Sequence, residues 1–288
     1  MLKNPHFRTI IQQVFLLLGF VSGISSSTHA ADPVRIFFVG NSLTYGNDMQ
    51  DTVAAILAST GKFSPLVGGS LRGNFQLNDH ADSEAALASL RQGAADGQPW
   101  DVMVLQEQSL LSAFSDSHAE SAEKMQRGMV RLVKAGHETN PNMLFITFEV
   151  WARHPSLWTS PDPDQRAVAK ATGVTSNAAQ NNIRRALINA MLVTRRTVPG
   201  ARILACPVGE FWSLALTKLP RIKLHDGDGN HAATAGSLLT AYALAGVIGG
   251  RVILETSSWR GDIPVDEANA LRQLLLENPD VFRQAATW

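Results

Sequence analysis

Arg35-Ile36-Phe37-Phe38-Val39-Gly40-Asn41-Ser42-Leu43-Thr44 is the stretch on which the reading of this chain turns. Apolar residues run without alternation from Ile36 to Val39, the pattern of a strand buried on both faces of a parallel sheet. Gly40 ends the run, and a short polar turn carries Ser42 to the strand's carboxyl end. In open α/β sheets that end is where ligands bind.

Four further strands are expected downstream: Phe63 to Val67, Asp101 to Leu105, Met143 to Phe148 and Arg202 to Cys206. Between them run helical patterns, from Asp48 to Ser59, Ala81 to Arg91, Ser117 to Thr139 and Asn177 to Val198. Helices are also expected at Val208 to Leu216, Ala232 to Ile248 and Val265 to Glu277, with a short apolar run at Val252 to Leu254. Strands alternating with helices predict a parallel sheet covered on both faces, a three-layer α/β/α sandwich with five strands in a flavodoxin-like order. Residues 151–175 break the pattern with Pro155, Pro161 and Pro163, and are expected to form a lid or specificity loop.

Upstream of the first strand, Lys3 and Arg8, the apolar centre Val14 to Val21 and the small-residue site Thr28-His29-Ala30 have the layout of a secretory signal peptide. The apolar run is short for a spanning helix. The reading is a leader over 1–30, cleaved after Ala30 or Ala31, and a single exported domain over 31–288, periplasmic or secreted, with no stable membrane insertion afterwards. The chain balances 25 basic against 25 acidic residues, and removing Lys3 and Arg8 leaves a slight negative excess. Such a surface has no general attraction for nucleic acid or anionic lipid. Cys206 is the single cysteine, which excludes an internal disulfide and a thiolate metal cage; following Ile203-Leu204-Ala205, it reads as a buried structural thiol.

Asp226-Gly227-Asp228-Gly229-Asn230-His231 supplies a carboxylate and an imidazole three positions apart, the partners a serine nucleophile needs: His231 to take the Ser42 proton, Asp228 to fix its tautomer. The Ser42 turn is not a Gly-x-Ser-x-Gly elbow, because Thr44 holds the last position, nor a phosphate loop, because Asn47 follows Gly46 where lysine is required. A metal reading of the late loop rests on His225, Asp226, Asp228, Asn230 and His231. As a calcium loop it fails at the sixth and twelfth positions, His231 and Ser237, and a zinc site from His225 and His231 has no identified third ligand. No metal and no other cofactor is expected. Glu149 and Trp151 follow the fourth strand and are the candidate substrate-binding residues, with Arg153 beside them; Trp151 is open to two readings, stacking on a sugar ring or packing in the core. His80, His118, His137 and His154 read as surface or hydrogen-bonded histidines, and Trp158 and Trp212 as packing residues.

These motifs together resemble the SGNH/GDSL hydrolase superfamily of esterases, which carries its nucleophile in Gly-Asp-Ser after the first strand and an Asp-x-x-His pair near the C-terminus. Gly40-Asn41-Ser42 matches the first with Asn for Asp, and Asp228-Gly229-Asn230-His231 matches the second. The resemblance spans Ser42 to His231. It implies an oxyanion hole from the Ser42 N–H, a glycine N–H after the second strand (Gly69) and an amide after the third. The family's Gly-x-Asn-Asp block is missing, and Leu105-Gln106-Glu107-Gln108-Ser109 stands in its place, leaving Gln106 or, as the alternative, Gln108 to donate. The implied activity is metal-independent hydrolysis of an O-acyl ester, with acetyl on a carbohydrate as the first expectation. A lipid ester or thioester, acyl transfer on the same residues, and a non-catalytic glycan-binding protein are the alternatives.

Overall fold

Ile36 and Phe38 point to one side of their strand and Phe37 and Val39 to the other, and all four are buried. Each buried side chain of this kind contributes about 1.5–3 kcal/mol. Two separate cores result, which is why the run shows no polar alternation. In this computed structural model, which describes residues 31–288, the strand is β1, Asp32–Gly40. The expected leader lies outside the described residues.

Four more strands join it: β2 (Phe63–Leu71), β3 (Val102–Leu105), β4 (Leu144–Phe148) and β5 (Arg202–Cys206). All pairings are parallel, in the order β2-β1-β3-β4-β5, the flavodoxin-like order. One core gathers Ile36, Phe38, Val104 and Ile146 beneath helices Met49–Ala58, Val208–Lys218 and Thr234–Gly249. The other gathers Phe37, Val39, Met103 and Phe145 beneath Glu84–Gln92, Ala119–Thr139 and Ser176–Thr197. Helix Thr234–Gly249 is apolar all round because it is buried all round from Ala235 to Ala245. No described helix is long and apolar enough to cross a membrane.

Two local expectations change, and one open run is assigned. The second strand continues past Val67 to Leu71, with Gly68 and Gly69 paired to Phe37 and Phe38. Gly69 is required there: a Cβ would stand 2.2 Å from the Phe38 carbonyl oxygen. The 151–175 segment is not irregular, since it forms a 3-10 turn, Pro155–Thr159, and a helix, Pro163–Thr172. Asp162 caps that helix and Pro163 occupies its first turn, where a missing N–H costs nothing. The apolar run near Val252 lies in a helix, Arg251–Thr256.

The chain leaves β1 for the edge at β2, then returns to β3 on β1's other side. The crevice between the carboxyl ends of β1 and β3 is therefore the topological switch point, and Ser42 and Gln106 follow those two ends.

Candidate active site

Asn41 caps the short helix Ser42–Tyr45: its Oδ1 accepts the Leu43 N–H at 3.2 Å, and its Nδ2 donates to the Phe75 carbonyl at 2.9 Å. An aspartate could make the cap but not the second bond, which ties the loop after β2 to the serine turn. Gly40 is forced by close approach, since a Cβ would stand 2.6 Å from both Gln106 Oε1 and Thr44 Oγ1. The Ser42 hydroxyl thus emerges at the end of β1 on a turn clamped from below and from the side.

Ser42 Oγ lies 2.9 Å from His231 Nε2, and His231 Nδ1 lies 2.5 Å from Asp228 Oδ2. Asp228 Oδ1 also accepts the N–H groups of Asn230, at 2.8 Å, and His231, at 2.9 Å. Partial burial works against the Asp228 charge, but these bonds and the His231 ring outweigh it and hold the carboxyl at about 2. An ionised Asp228 accepts a hydrogen bond from Nδ1–H and so keeps the proton on Nδ1, leaving Nε2 to present its lone pair to the serine hydroxyl. Gly229, at φ +67°, supplies the left-handed turn that folds Asp228 back beneath His231.

Other segments hold this loop in place. Trp151 Nε1 donates to the Asn230 carbonyl at 2.9 Å, and the His154 N–H to the Gly229 carbonyl at 2.8 Å. Asn47 Nδ2 donates to the Ala232 carbonyl and to Ser237 Oγ, both at 2.9 Å, joining the serine segment to the chain just after His231. The sequence does not mark Asn47 as a bracing residue, because an amide in a turn carries no signal of its distant partner.

No family model matches the sequence, and no curated protein is detectably similar to it. Solved structures do resemble it. A DUF4886 family protein from Bacteroides uniformis matches with a TM-score of 0.61 over 86% of this chain and 96% of its own, at 16% identity. A protein from Slackia heliotrinireducens assigned to the SGNH hydrolases gives 0.55 over 76% of this chain and 100% of its own, at 22% identity. The fold is that of the SGNH hydrolases. A protein from Parabacteroides merdae assigned as a GDSL-like lipase matches at 0.51, with 13% identity, over 77% of this chain and 99% of its own.

Within this SGNH fold, several candidates named from the sequence have other employment. Gln106 is fully buried: its Oε1 accepts the Asn41 N–H and the Thr44 hydroxyl, both at 2.9 Å, and its Nε2 donates to the Glu107 carbonyl at 2.6 Å. Turning the amide over would set its NH2 against the Asn41 N–H and its oxygen against the Glu107 carbonyl, so Gln106 is a brace beneath the turn rather than an oxyanion donor. Gln108 is partly exposed, caps helix Ser109–Phe114 through its Oε1, and extends Nε2 to 3.5 Å from Asn74 Oδ1 on the loop after β2. Of the two glutamines it is the one whose amide N–H reaches the rim.

Gly69 is likewise displaced from its expected role, because it lies inside β2 opposite Phe38, two positions short of the strand's end. The first glycine beyond that end is Gly73, exposed beside Tyr45 in the loop that Asn41 tethers.

Glu149 is buried and takes no part in an open pocket. It receives Arg184 Nε and Gln180 Nε2, each at 3.0 Å, and the Glu210 N–H at 3.2 Å. Burial pushes its carboxyl up, and Arg184 opposes that. Trp151 is also buried, stacked on Trp212 at 4.0 Å with the rings 4° apart, so it has no free face for a sugar. Trp212 packs, as expected, and places an edge contact on His225.

His225 donates Nε2–H to the Ala152 carbonyl at 3.0 Å, and burial pulls its imidazole down to about 4. His80 is wholly buried and bridges Ser70 Oγ, at 2.8 Å, to the Gly40 carbonyl, at 3.0 Å, a link between β2 and β1 rather than a surface group. Cys206 is buried, and burial raises its thiol well above the usual value. Among the described residues, no three His, Cys, Asp or Glu side chains converge as a metal site, and Asp226 in the late loop faces Lys223 at 3.5 Å.

Proposed function

We propose that this chain is an exported serine esterase that removes a short acyl group, acetyl in the first instance, from a carbohydrate. The observation that carries the reading is the continuous hydrogen-bonded chain Ser42–His231–Asp228 at the carboxyl end of β1. In the proposed reaction His231 Nε2 takes the Ser42 proton as Oγ attacks the acyl carbonyl. The imidazolium is stabilised by Asp228 and returns the proton to the leaving sugar oxygen. Water, activated by the same ring, then releases the carboxylic acid.

The oxyanion would be held by the Ser42 N–H, which makes no hydrogen bond among the described residues, together with the Gly73 N–H and the Gln108 amide. Donors of this kind are worth about 10²–10³ in turnover each. The carbohydrate preference is supported by the rim: Arg72, Gly73, Asn74, Tyr45 and Asp228 are all exposed, and the His231 side chain remains 43% exposed. An open polar rim suits a short acyl group carried on a hydrophilic polymer.

The test is hydrolysis of 4-nitrophenyl acetate and of an acetylated polysaccharide by the wild type and by Ser42→Ala. The expected result is acetate release that falls by at least about 10³ in the variant. Equal rates in both proteins would remove Ser42 from the chemistry.

A further inference from the structure

Arg153 emerges just past the carboxyl end of β4, two positions after Trp151, and runs beside the loop that carries Asp228. Its backbone is held on both sides: the carbonyl accepts Ser176 Oγ at 2.9 Å, and the next N–H binds the Gly229 carbonyl at 2.8 Å. The guanidinium is not. Its Nε is buried with no hydrogen-bond partner, and no carboxylate lies within ion-pair distance of it among the described residues. Burial pulls the group below the ordinary arginine value, and Asp228 is near enough for its charge to oppose that. Asp228 cannot serve as the missing partner, because its oxygens are taken by the His231 ring and the N–H groups of Asn230 and His231.

A second arginine without a carboxylate stands across the site. Arg72 follows β2, its N–H bound to the Gly40 carbonyl at 3.1 Å, and its guanidinium lies 4.4 Å from the centre of the Phe75 ring. Because the strand order is β2-β1-β3-β4, the loops bearing Arg72 and Arg153 flank the β1 end, and Ser42, from opposite sides. Most other arginines of the molecule have an acidic or carbonyl partner: Arg35 binds Asp96 and Asp101, Arg184 binds Glu149 and Glu210, and Arg195 binds two carbonyls. The nearby Glu107 carboxyl is buried and held up to about 8, so it brings no negative charge to the crevice at neutral pH.

We infer that the substrate of this site is an anionic glycan, an acyl ester whose sugar or neighbouring sugar carries a carboxylate or sulfate that Arg153 receives from one side and Arg72 attracts from the other. The inference rests on the esterase reading and adds the charge of the substrate to it. A half-buried guanidinium without a partner is costly to keep, and a bidentate oxyanion is the group its planar fork matches best.

The experiment compares kcat/KM on three acetylated polysaccharides, one bearing uronate, one bearing sulfate and one neutral, for the wild type, Arg153→Gln, Arg153→Lys and Arg72→Gln. The wild type should favour one of the anionic polymers over the neutral one by at least about tenfold, and the advantage should shrink with added salt. Arg153→Gln should cut the anionic-to-neutral ratio by about tenfold, chiefly through KM, with Arg153→Lys recovering part of it. Arg72→Gln, at an exposed position, should cut it by a smaller factor and covers the case in which Arg153→Gln fails to fold. Which anionic polymer is preferred identifies carboxylate or sulfate. A wild-type ratio near one, or an Arg153→Gln variant that weakens all three substrates alike, overturns the inference while acetate release from the neutral polymer or from 4-nitrophenyl acetate leaves the esterase reading standing. No acetate release from any of these substrates overturns both.

Discussion

The side-chain carbonyl of Gln106 accepts the backbone N–H of Asn41 at 2.9 Å, one position before Ser42. It takes the Thr44 hydroxyl at the same distance, so two donors on either side of the serine converge on one buried oxygen. Gln106→Leu leaves both donors buried and unpaired, at a cost of about 2–4 kcal/mol. The thermal midpoint should fall by roughly 5–10 °C, with turnover falling as the turn loosens. A variant that loses turnover and keeps its melting temperature would return Gln106 to the oxyanion hole.

Trp151→Phe keeps an aromatic ring against Trp212 and deletes the N–H that holds the Asn230 carbonyl. The loop carrying Asp228 and His231 loses one of its anchors, and a small misplacement there acts on the chemical step. The expected outcome is a fall in kcat of about three- to tenfold with KM nearly unchanged, as for a residue acting through a bond worth about 0.5–1.5 kcal/mol. Steady-state kinetics on an acetylated polysaccharide checks this. A rise in KM alone would mean that Trp151 stacks on the sugar after all.

Asp228→Asn preserves the shape of the His231 loop but sets an amide NH2 against the Nδ1–H. The ring then prefers the tautomer with its proton on Nε2, which cannot accept from Ser42. Turnover should drop by about 10³–10⁴ with the fold intact. Circular dichroism and single-turnover rates together decide it, and a loss under tenfold would free Asp228 of the proposed role.

Glu107 sets a pH dependence of stability. Its Oε1 accepts the Leu77 N–H at 3.2 Å and the Gln108 N–H at 2.7 Å, while Oε2 is buried without a partner. Burial raises the carboxyl from 4.5 to about 8, so across that window the folded chain keeps a proton that the unfolded chain has released. Stability from this group is complete below the unfolded value and declines as pH rises toward 8, by at most about 1.4 kcal/mol per pH unit. Glu107→Gln retains the two acceptor bonds and does not titrate. Its urea midpoint should match the wild type near pH 4 and exceed it progressively up to pH 8; parallel curves across the range would contradict the assignment.

The inner strands β1, β3 and β4 were legible because burial on two faces leaves a mark that needs no distant partner, as in Ile36 to Val39 or Val102 to Leu105. The far end of β2 was not. Gly68-Gly69-Ser70 has the composition of a turn, and only the pairing of Gly69 to Phe38, at a spacing that admits no Cβ, makes it strand. The same displacement moved the glycine of the rim from Gly69 to Gly73.

Side-chain direction was the other blind point. Glu149 and Trp151 follow β4, and their position at the strand's carboxyl end is compatible with lining a crevice. Arg184 and Gln180 on one distant helix, and Trp212 on another, draw them inward instead. For Gln106 and Gln108, two residues apart, exposure decides which amide is spent beneath the turn and which reaches the surface.

Local order in the chain therefore determined the layering and the residue types at Ser42, Asp228 and His231, since each depends on patterns a few positions long, whereas the strand order rests on pairings between distant segments. Which of the polar groups near them face the crevice was decided only by tertiary structure, because a hydrogen-bonding side chain goes where a partner is buried with it, and those partners lie tens to hundreds of positions away.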